Sequence, residues 1–529
     1  MKKLKFKKTI TCLALASLTV FSLAACNGGG EGGGGGGSGS GGTINVHFMV
    51  GGFGTDVNDK ISADYKALTG VRVNFKPSYT QGEIQQLVNS LQEQYDIVMP
   101  LLNMYFAQDT NKLECLDEVY DAVPQGESVA VKDKMNQDLC NYLLADDGHR
   151  YQMVSNDSVY ALCYNADTLD AAFGEGNWTL PRTTKELLKI SDDLVAKGYY
   201  AFSTSTAINY YWDYLGTVWW AQYEGLESFD NFYQGKYRDG DSWEYGPQIN
   251  DAAGRKIALD TLSSIMKTNG GRMHALAANM DFKNAQRAFL GKGYVTDKKK
   301  VGFMVNGDWL ENEMASTLIS SPQDIGMMRA PVVSELATKL ASVKTDERLA
   351  AIVAAVDANK TYAETATGDL SDLTEADFTH VKEARLMVYT ATPNYPIGIP
   401  ANRPEAKKKL AKDFLVYLYS DRAQRIIAQC LQGLAYPAGY DVLSDDSVTV
   451  SDFVRTRYEA FGNDKINIFP RNSSPLVYLG GLGDTPGAGT GIDNAICSGN
   501  TSTSLLASSK TQLEHNWENI SKYIKNNAE

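Results

Sequence analysis

The sequence predicts an α/β protein with two lobes, each built on a mainly parallel sheet flanked by helices. From residue 43 onward, short strand-like runs alternate with amphipathic helical runs, the pattern of βαβ units. Removal of a 25-residue leader would leave 504 of the 529 residues, more than one hydrophobic core usually organises. With 43% hydrophobic and 21% charged residues, the composition is that of a globular protein. We therefore expect one core in each lobe.

The elements of the first part of the chain follow this pattern in order. Residues 43–50 (TINVHFMV) alternate in polarity and carry β-branched and aromatic side chains, which predicts a strand. The next predicted elements are a helix at 59–68, a strand at 71–75, a helix at 83–94 and a strand at 95–99 that Pro100 ends. In doubly wound sheets, ligands bind at the carboxyl ends of the strands. The loops at 51–55, with Phe53, and at 100–104 are therefore candidate ligand-binding loops.

The first 25 residues have the layout of a secretory signal peptide. Five lysines precede a short apolar run, and small residues precede Cys26. The apolar run is too short for a stable membrane span. Residues 23–26 (LAAC) resemble the bacterial lipobox, in which cleavage makes the cysteine the new N-terminus and its sulfur carries a diacylglycerol. We expect lipidation of Cys26 and anchoring on the extracytoplasmic face of the cell membrane; the alternative is ordinary cleavage beside a chance cysteine.

A glycine-rich segment, residues 26–42, follows the lipobox. A Gly/Ser coil of this length has an r.m.s. span of roughly 20 to 25 Å. The segment is expected to act as a tether that holds the globular part away from the lipid surface and leaves it free to turn.

The net charge argues against nucleic acid as a partner. The formal charge of −13 includes the five leader lysines, so the mature chain carries about −18. Such a surface repels nucleic acid and anionic lipid headgroups. Contact with the membrane is therefore expected through the Cys26 lipid only.

The cysteine pattern predicts neither a disulfide framework nor a metal site. Apart from the leader cysteine and Cys26, the chain has an odd number of cysteines and no CxxC or Cys/His spacing of the zinc type. We expect buried free thiols at these five positions: Cys115, Cys140, Cys163, Cys430 and Cys497. No metal ion and no cofactor is predicted.

Four stretches, taken together and in order, resemble one known family. They are SVYALCYNADTL at 158–169, NWTLPRTTKELLKISDDLVAKG at 177–198, NAQRAFLGKGYVTDKKKVGFMVNGDWLENEM at 284–314 and PIGIPANRPEAKKKLAKDFLVYLYSDRAQRII at 396–427. The family is that of the extracellular solute-binding proteins of family 1, the maltose-binding type of substrate-binding lipoprotein in ABC sugar importers. The resemblance implies a periplasmic-binding-protein type II fold, in which crossover hinge strands join the lobes.

The resemblance also implies a division of the chain. The first lobe would comprise residues 43–160 with 396–440, and the second lobe residues 161–395 with 441–529. The chain is long for the family, and residues 330–385 read as a helical insertion. Residues 222–248 read as an extended aromatic segment.

Carbohydrate binding needs two kinds of group. Sugar rings offer C–H faces that pack on aromatic plates, and hydroxyl edges that need hydrogen-bond partners. Aromatic residues crowd one region of the chain, where most are expected in the core: Tyr210, Tyr211, Trp212, Tyr214, Trp219, Trp220, Tyr223 and Trp243. From this set we predict Tyr211 and Trp212 as ligand contacts. Trp309 follows a predicted strand in the turn NGDW, and the resemblance implies that it stacks on a sugar.

Further contacts are implied by the resemblance alone. Asn103 matches a polar position after the third strand, and Asp157 with Ser158 matches a carboxylate position before the first crossover. A late loop that closes the pocket in the family matches Arg471, Asn472 and Tyr478.

Other classes of protein fit less well. A secreted glycan-degrading hydrolase would also be acidic and aromatic, but none of the four stretches centres on a catalytic acid and the five histidines are scattered. A surface adhesin would more often contain repeats, and none is found. We predict no catalytic residue and no enzyme activity. The alternative to sugar binding is that the aromatic residues form a cage that binds a quaternary amine.

The predicted function is capture of a carbohydrate, with an oligosaccharide expected, and its delivery to an ABC importer. The sequence contains no P-loop, so the permease and its ATPase subunits would be separate chains. A monomer that closes around its ligand by hinge bending is expected.

Overall fold

A computed structural model describes residues 42–526 with several gaps. The positions left out within that range are 81, 102–103, 105–106, 108–110, 206–210, 267–270, 391–394, 435–438, 463, 472–473, 479–494 and 497–498. The predicted signal peptide and nearly all of the tether, with Cys26, lie outside the described residues.

The first lobe is built on a parallel three-stranded sheet. Its strands are β1 (Thr43–Met49), β2 (Arg72–Ser78) and β3 (Ile97–Met99), in the order β2-β1-β3. The helices of this lobe are Asp56–Thr69, Glu83–Asn89, Asp117–Asp121, Val131–Lys134, Gln137–Tyr142, Glu405–Leu418 and Asp421–Cys430. Sheet and helices enclose a main hydrophobic core, to which β1 contributes the buried residues Ile44, Val46 and Phe48, and a smaller cluster lies around Val98 of β3. The predicted order of strands and helices is confirmed here.

Two short strands mark the crossing between the lobes. They are β4 (Met153–Val154) and the later strand Pro396–Ile397, which pair antiparallel with each other. The amide and the hydroxyl of Ser155 both donate to the carbonyl of Tyr395, at 3.2 and 3.1 Å. The two connecting segments are therefore tied together at the point where the chain leaves the first lobe.

The second lobe is built on a six-stranded sheet. Its strands are β5 (Val159–Asn165), β6 (Tyr200–Ser203), β9 (Val301–Gly307), β10 (Ile325–Met328), β11 (Met387–Thr390) and β13 (Ile466–Ile468). A separate hairpin pairs β7 (Lys236–Asp239) with β8 (Ser242–Tyr245). The strand Pro396–Ile397 of the crossing is β12. The sheet order is β13-β11-β5-β9-β6, with β10 also paired to β5.

This second sheet is mixed, whereas a mainly parallel sheet was expected in both lobes. β5 enters the sheet from the first lobe and runs antiparallel to β9, β10 and β11, while the pairs β6·β9 and β11·β13 are parallel. The reason is topological: β5 and β11 carry the chain across the junction in opposite directions, so they must pair antiparallel. The second core surrounds this sheet and is the larger of the two.

Helices cover both faces of the second sheet. They are Ala166–Phe173, Thr184–Ala196, Tyr211–Glu224, Leu226–Tyr233, Ala253–Met266, Phe282–Phe289, Leu310–Glu313, Ala315–Ser320, Leu336–Lys339, Asp346–Asp357, Tyr362–Thr365, Glu375–Leu386, Asp452–Phe461, Pro475–Tyr478 and Ser502–Asn526. In the part of the chain that the structure describes, 3₁₀ turns lie at Pro247–Asp251, Ala277–Asn279, Gly368–Leu370 and Val442–Ser444. Residues 330–385 contribute several of these helices. Among the described residues, none of the helices combines the length and apolar character needed to cross a bilayer.

Side-chain caps fix the helix starts in the stretches that the sequence analysis singled out. Asn165 ends β5, and its side chain accepts from the amide of Thr168 at 2.8 Å, so the strand passes directly into a helix. Thr183 caps the helix that begins at Thr184 by accepting from the amide of Glu186. Such caps satisfy amides that the first helical turn leaves without partners.

The four cysteines in the described part of the chain, Cys115, Cys140, Cys163 and Cys430, are free thiols, as expected. Cys115 and Cys430 are only half-buried, however, so burial does not hold for all of them. Cys497 lies outside the described residues.

Candidate functional site

Four aromatic rings from both lobes meet at the junction. Trp309 directly precedes the helix Leu310–Glu313 after the end of β9. Its indole packs edge to face against Tyr160 of β5 at a centroid distance of 5.1 Å, against Tyr211 at 6.2 Å and against Phe53 at 6.0 Å. Phe53 belongs to the loop after β1 in the first lobe. The end of β1 and the end of β9 therefore contribute to one cluster, which we call the junction cluster.

Two glycines allow the backbone to approach the indole. A Cβ at Gly52 would lie 2.6 Å from Cδ1 of Trp309, and a Cβ at Gly307 would lie 2.3 Å from the six-membered ring. Distances below 3 Å are not found for real Cβ atoms in proteins. Glycine at these positions lets the loop after β1 and the end of β9 pack directly on the indole.

Polar groups lie beside the junction cluster. The amide of Gln286 donates to the carboxylate of Glu313 at 2.6 Å. Burial raises the pKa of Glu313, and the hydrogen bond from Gln286 opposes part of that shift. Burial also raises the pKa of Tyr395, to about 12, and the pKa of Tyr211 well above its usual value; the charge of Glu313 adds to both shifts. These four side chains therefore share one partly desolvated environment.

Gln286 of this environment, and two residues close in sequence to Trp309 and Tyr160, each have a buried polar atom without a protein partner. Within the described part of the chain, the side-chain oxygen of Gln286, the side-chain nitrogen of Asn312 and the hydroxyl of Ser158 are buried without a hydrogen bond. A buried polar group without a partner costs about 1 to 3 kcal/mol. Groups of this kind are suited to accept from or donate to the hydroxyls of a ligand.

A cavity of about 130 Å³ lies next to the junction cluster in the first lobe. Its walls are mostly apolar, from residues such as Phe48 and Phe75, and its polar lining includes Asn156 and Tyr395. Phe53 lines this cavity and also contacts Trp309. Ligand pockets usually measure about 300 to 1,000 Å³. The cavity is therefore smaller than a pocket for an oligosaccharide, and the loop that carries Phe53 is its boundary toward the second lobe.

A charged network occupies the connecting segment between the lobes. Lys465 Nζ lies 2.9 Å from the carboxylate of Asp157, and Arg457 lies 3.6 Å from the same carboxylate and 3.3 Å from Asp308. Burial raises the pKa of Asp157, but Lys465 and Arg457 outweigh it and hold the pKa below its usual value. Asp308 directly precedes Trp309, so the network extends from the connecting segment to the junction cluster.

The structure brings three predicted contacts together, namely Phe53, Tyr211 and Trp309. Ser158 is buried on the connecting segment just before Tyr160. Asp157 is adjacent in sequence, but its carboxylate is engaged by Lys465 and lines a separate cavity of about 520 Å³. Its role as a ligand contact stays a prediction.

Trp212 lies elsewhere. It is fully buried in the second core, where its indole donates to the carbonyl of Ser203 at 3.3 Å and packs edge to face on Phe202. Adjacent helical residues point about 100° apart, so Tyr211 faces the junction while Trp212 faces the sheet. We therefore leave Trp212 out of the candidate site.

Arg471 packs on the helix Leu226–Tyr233. It forms an ion pair with Asp230, and its guanidinium lies 5.9 Å from the ring of Phe229 and 5.8 Å from that of Tyr233. Three other predicted contacts cannot be placed: Asn103 and Asn472 lie outside the described residues, and of Tyr478 only the backbone is described.

Four residues of the site were not predicted from the sequence: Tyr160, Tyr395, Glu313 and Gln286. For two of them, the sequence contains a feature that could have indicated the site. Tyr160 lies inside the first crossover stretch, and Glu313 follows Trp309 by four residues, which is one helical turn. Tyr395 and Gln286 join the site only through the packing of segments that are distant in sequence.

Comparisons with known proteins support the fold. A scan against protein-family models gave no match, and a search of curated proteins gave none either. Among solved structures, the chain is similar to the SBP RafE in complex with raffinose, with a TM-score of 0.57, 13% identity and coverage of 89% of this chain and 98% of that one. It is also similar to a chitin oligosaccharide binding protein, with a TM-score of 0.57, 12% identity and coverage of 90% and 99%.

A third similar structure is the apo form of RafE from Streptococcus pneumoniae, with a TM-score of 0.56, 13% identity and coverage of 90% and 98%. At such low identity the likeness establishes the two-lobed α/β fold. Nearly the whole length of each similar structure aligns with this chain, so the alignment includes both lobes.

Proposed function

We propose that the protein is a lipid-anchored extracytoplasmic solute-binding protein that captures a carbohydrate, an oligosaccharide in particular, and delivers it to an ABC importer. The junction cluster carries this proposal: Trp309, Tyr160, Tyr211 and Phe53 place aromatic faces from both lobes beside polar atoms that have no protein partner. Aromatic faces suit the C–H surface of a sugar ring, and the polar atoms suit its hydroxyls.

Two further observations support a carbohydrate as the ligand. The similar solved structures are named as binding proteins for raffinose and for chitin oligosaccharides. The polar groups near the rings include the neutral amide of Gln286, which is hydrogen-bonded to Glu313 and can both donate to and accept from hydroxyls.

Access to the site would require the lobes to separate. The loop after β1 covers the indole of Trp309, and the adjacent cavity of about 130 Å³ is too small for an oligosaccharide. Hinge bending at the paired connecting segments, at Ser155 and Tyr395, would expose the rings and then enclose the ligand.

Lipidation of Cys26 and delivery to a permease rest on the sequence. The lipobox-like LAAC and the glycine-rich tether would leave the globular part free to meet a membrane partner while it stays attached. Because the sequence contains no P-loop, ATP hydrolysis would occur on separate subunits.

Binding is tested with a glycan panel and thermal unfolding of the purified protein. A ligand present at 100 times its Kd adds about 2.7 kcal/mol to the free energy of unfolding, a shift that melting curves detect easily. We expect at least one neutral oligosaccharide to raise the Tm. If only a peptide or a quaternary amine raises it, the proposed class of ligand is wrong.

The same panel separates binding from hydrolysis. Oligosaccharides that raise the Tm are incubated with the protein and analysed for new reducing ends. We expect intact sugars after prolonged incubation. Release of shorter products that is lost in Glu313→Gln would instead identify Glu313 as an acid of a secreted hydrolase.

A further inference from the structure

A second group of side chains, in the first lobe, combines three different metal-ligating types. Cys115, Asp117 and His149 offer a thiol, a carboxylate and an imidazole, and one ligand atom of each lies within 4.8 Å of the other two. Nδ1 of His149 lies 2.6 Å from the carboxylate of Asp117. We propose that these three side chains bind one Zn²⁺ ion.

The backbone holds the two contributing segments in register. The amide of Leu116 donates to the carbonyl of Arg150 at 2.7 Å, and the amide of Arg150 donates to the carboxylate of Asp117 at 2.9 Å. The segment with His149 is itself a tight turn, closed by the bond from the Gly148 amide to the Ala145 carbonyl, with Gly148 at φ +83°. The donor atoms are therefore positioned by main-chain contacts and not by the side chains alone.

Arg150 binds one carboxylate oxygen of Asp117 and Nδ1 of His149 contacts the other, so a metal ion would take the place of the proton between that oxygen and Nδ1. Bonds of this kind orient metal-ligating carboxylates in proteins. Asp147 adds negative charge nearby, since its carboxylate accepts from the His149 amide at 3.0 Å and from the Tyr151 hydroxyl at 2.6 Å. The surroundings thus favour a cation.

The donor set indicates which cation. One sulfur, one nitrogen and one oxygen match the ligands that Zn²⁺ accepts in tetrahedral sites, whereas Ca²⁺ and Mg²⁺ take oxygen ligands. Sulfur and nitrogen ligands on one Zn²⁺ lie about 3.5 Å apart, so the thiol must approach the other two groups by up to about 1 Å. Nδ1 of His149 and the Asp117 oxygen, now 2.6 Å apart, must separate by roughly 0.5 to 1 Å. His149 can supply this movement because its side chain is 55% exposed. The exposed side leaves a fourth position for water.

A reactive cysteine is the competing interpretation. The imidazole that could activate the thiol as a base is turned toward the Asp117 carboxylate, with its Nδ1 atom 2.6 Å from that group. A thiol, a carboxylate and an imidazole whose donor atoms lie within 4.8 Å of one another form a donor set for a metal ion. The geometry therefore suits a ligand better than a nucleophile.

The ion would join two segments of the first lobe that are 32 residues apart. Cys115 follows the bridge between Leu113 and Pro400, so one of these segments also contacts the chain just after β12. Zn²⁺ would cross-link the segment with Cys115 and Asp117 to the turn that carries His149. The consequence is a local stabilisation of the first lobe, independent of any sugar at the junction cluster.

The test uses the full chain in detergent, dialysed against Zn²⁺ and then analysed for bound metal. We expect one Zn²⁺ per chain, with binding weakened at least tenfold in both Cys115→Ser and His149→Ala. The matched controls are Cys430→Ser, at another half-buried thiol, and His515→Ala, at another exposed histidine; both should bind as the wild type does.

Co²⁺ provides a second readout. Binding at this site should produce a thiolate-to-metal charge-transfer band in the near ultraviolet that Cys115→Ser abolishes and Cys430→Ser keeps. His149 is exposed, so His149→Ala should fold normally, which circular dichroism verifies. The proposal would be overturned if the wild type bound no stoichiometric metal, or if Cys115→Ser and His149→Ala bound it as tightly as the wild type does.

Discussion

Cδ1 of Trp309 approaches the backbone of Gly52 so closely that a Cβ at that glycine would lie 2.6 Å from it. Gly52 belongs to the first lobe and Trp309 to the second. The pair therefore reports directly on whether the junction is closed, and the indole that we assign to sugar binding is also a contact between the lobes.

Trp309→Ala should weaken sugar binding more than it weakens the fold. If the indole stacks on a sugar ring, its removal should cost on the order of 2 to 4 kcal/mol of binding free energy, the range of an aromatic hot spot. Calorimetric titration with a sugar from the panel measures the affinity, and urea unfolding without sugar measures stability.

Trp212→Ala is the matched control for this substitution. Trp212 is fully buried in the second core, so truncation should cost about 3 to 5 kcal/mol of stability and leave the affinity of the folded protein unchanged. If Trp309→Ala binds sugar normally and melts as early as Trp212→Ala, Trp309 is a core residue and its assignment to the site must be withdrawn.

Gly52→Ala should hold the lobes apart. The added methyl group cannot share space with the indole, and overpacking of this kind costs about 1 to 3 kcal/mol. Small-angle scattering of the wild type with a saturating sugar should give a smaller radius of gyration than without sugar. The variant should need more sugar to reach the compact form.

A double-mutant cycle isolates the contact between Gly52 and Trp309. In the background of Trp309→Ala, the substitution Gly52→Ala should have little further effect, because the atoms that clash with the methyl group are gone. Effects of Gly52→Ala that persist unchanged in that background would show that the loop is strained for another reason.

Asp157→Asn should destabilise the protein at neutral pH and much less at low pH. The substitution leaves Lys465, whose side chain is 5% exposed, without its partner. Breaking a buried ion pair costs about 3 to 5 kcal/mol, and about 2 to 3 kcal/mol is expected here because the Asp157 side chain is 19% exposed.

The direction of the pH effect follows from the lowered pKa of Asp157. Its carboxylate stabilises the fold fully above the ordinary pKa of 3.8, and this contribution is lost as the pH falls through the lower value in the folded state. Melting curves of the wild type and the variant should therefore begin to approach each other below about pH 4 and coincide only below the lowered pKa of Asp157. As a control, Asp193→Asn breaks an exposed pair with Lys189 and should change stability by about 0.3 to 0.5 kcal/mol.

Cys26→Ser should abolish lipid attachment without changing sugar affinity. The variant should be released from cells or accumulate as an unprocessed precursor, because a serine hydroxyl cannot take the place of the acylated sulfur. Membrane fractionation and mass spectrometry check both outcomes. Recovery of wild-type mature protein as a soluble species without acyl mass would contradict the anchoring proposal.

Much of the local structure could be predicted from the sequence, because it depends on neighbouring residues. Alternation of polar and apolar side chains predicted β1 at 43–50, and the strand occupies Thr43–Met49. Thr183 caps the helix Thr184–Ala196 through its side-chain oxygen and the amide of Glu186, a contact that depends only on two residues three positions apart. The turn that carries Trp309 after a buried strand was likewise readable from Asn306 and Gly307.

Only the tertiary structure decided which side chains share a site. The sequence gives no reason to prefer Tyr211 over Trp212 as a ligand contact. In the structure, Tyr211 faces the junction and Trp212 is buried in the core. Tyr160 and Tyr395 come close to Trp309 and Tyr211 because the chain crosses between the lobes twice.

The same distinction explains the proposed Zn²⁺ site. Local spacing predicted no metal ligands, yet Cys115 and Asp117 meet His149 from another segment of the chain. Hydrophobic periodicity indicates which face of a helix or strand is buried, but it does not indicate which other element that face packs against. Cap, strand and turn were therefore set by the sequence nearby, whereas the junction cluster and the Cys115–Asp117–His149 group arise from packing between segments distant in the chain.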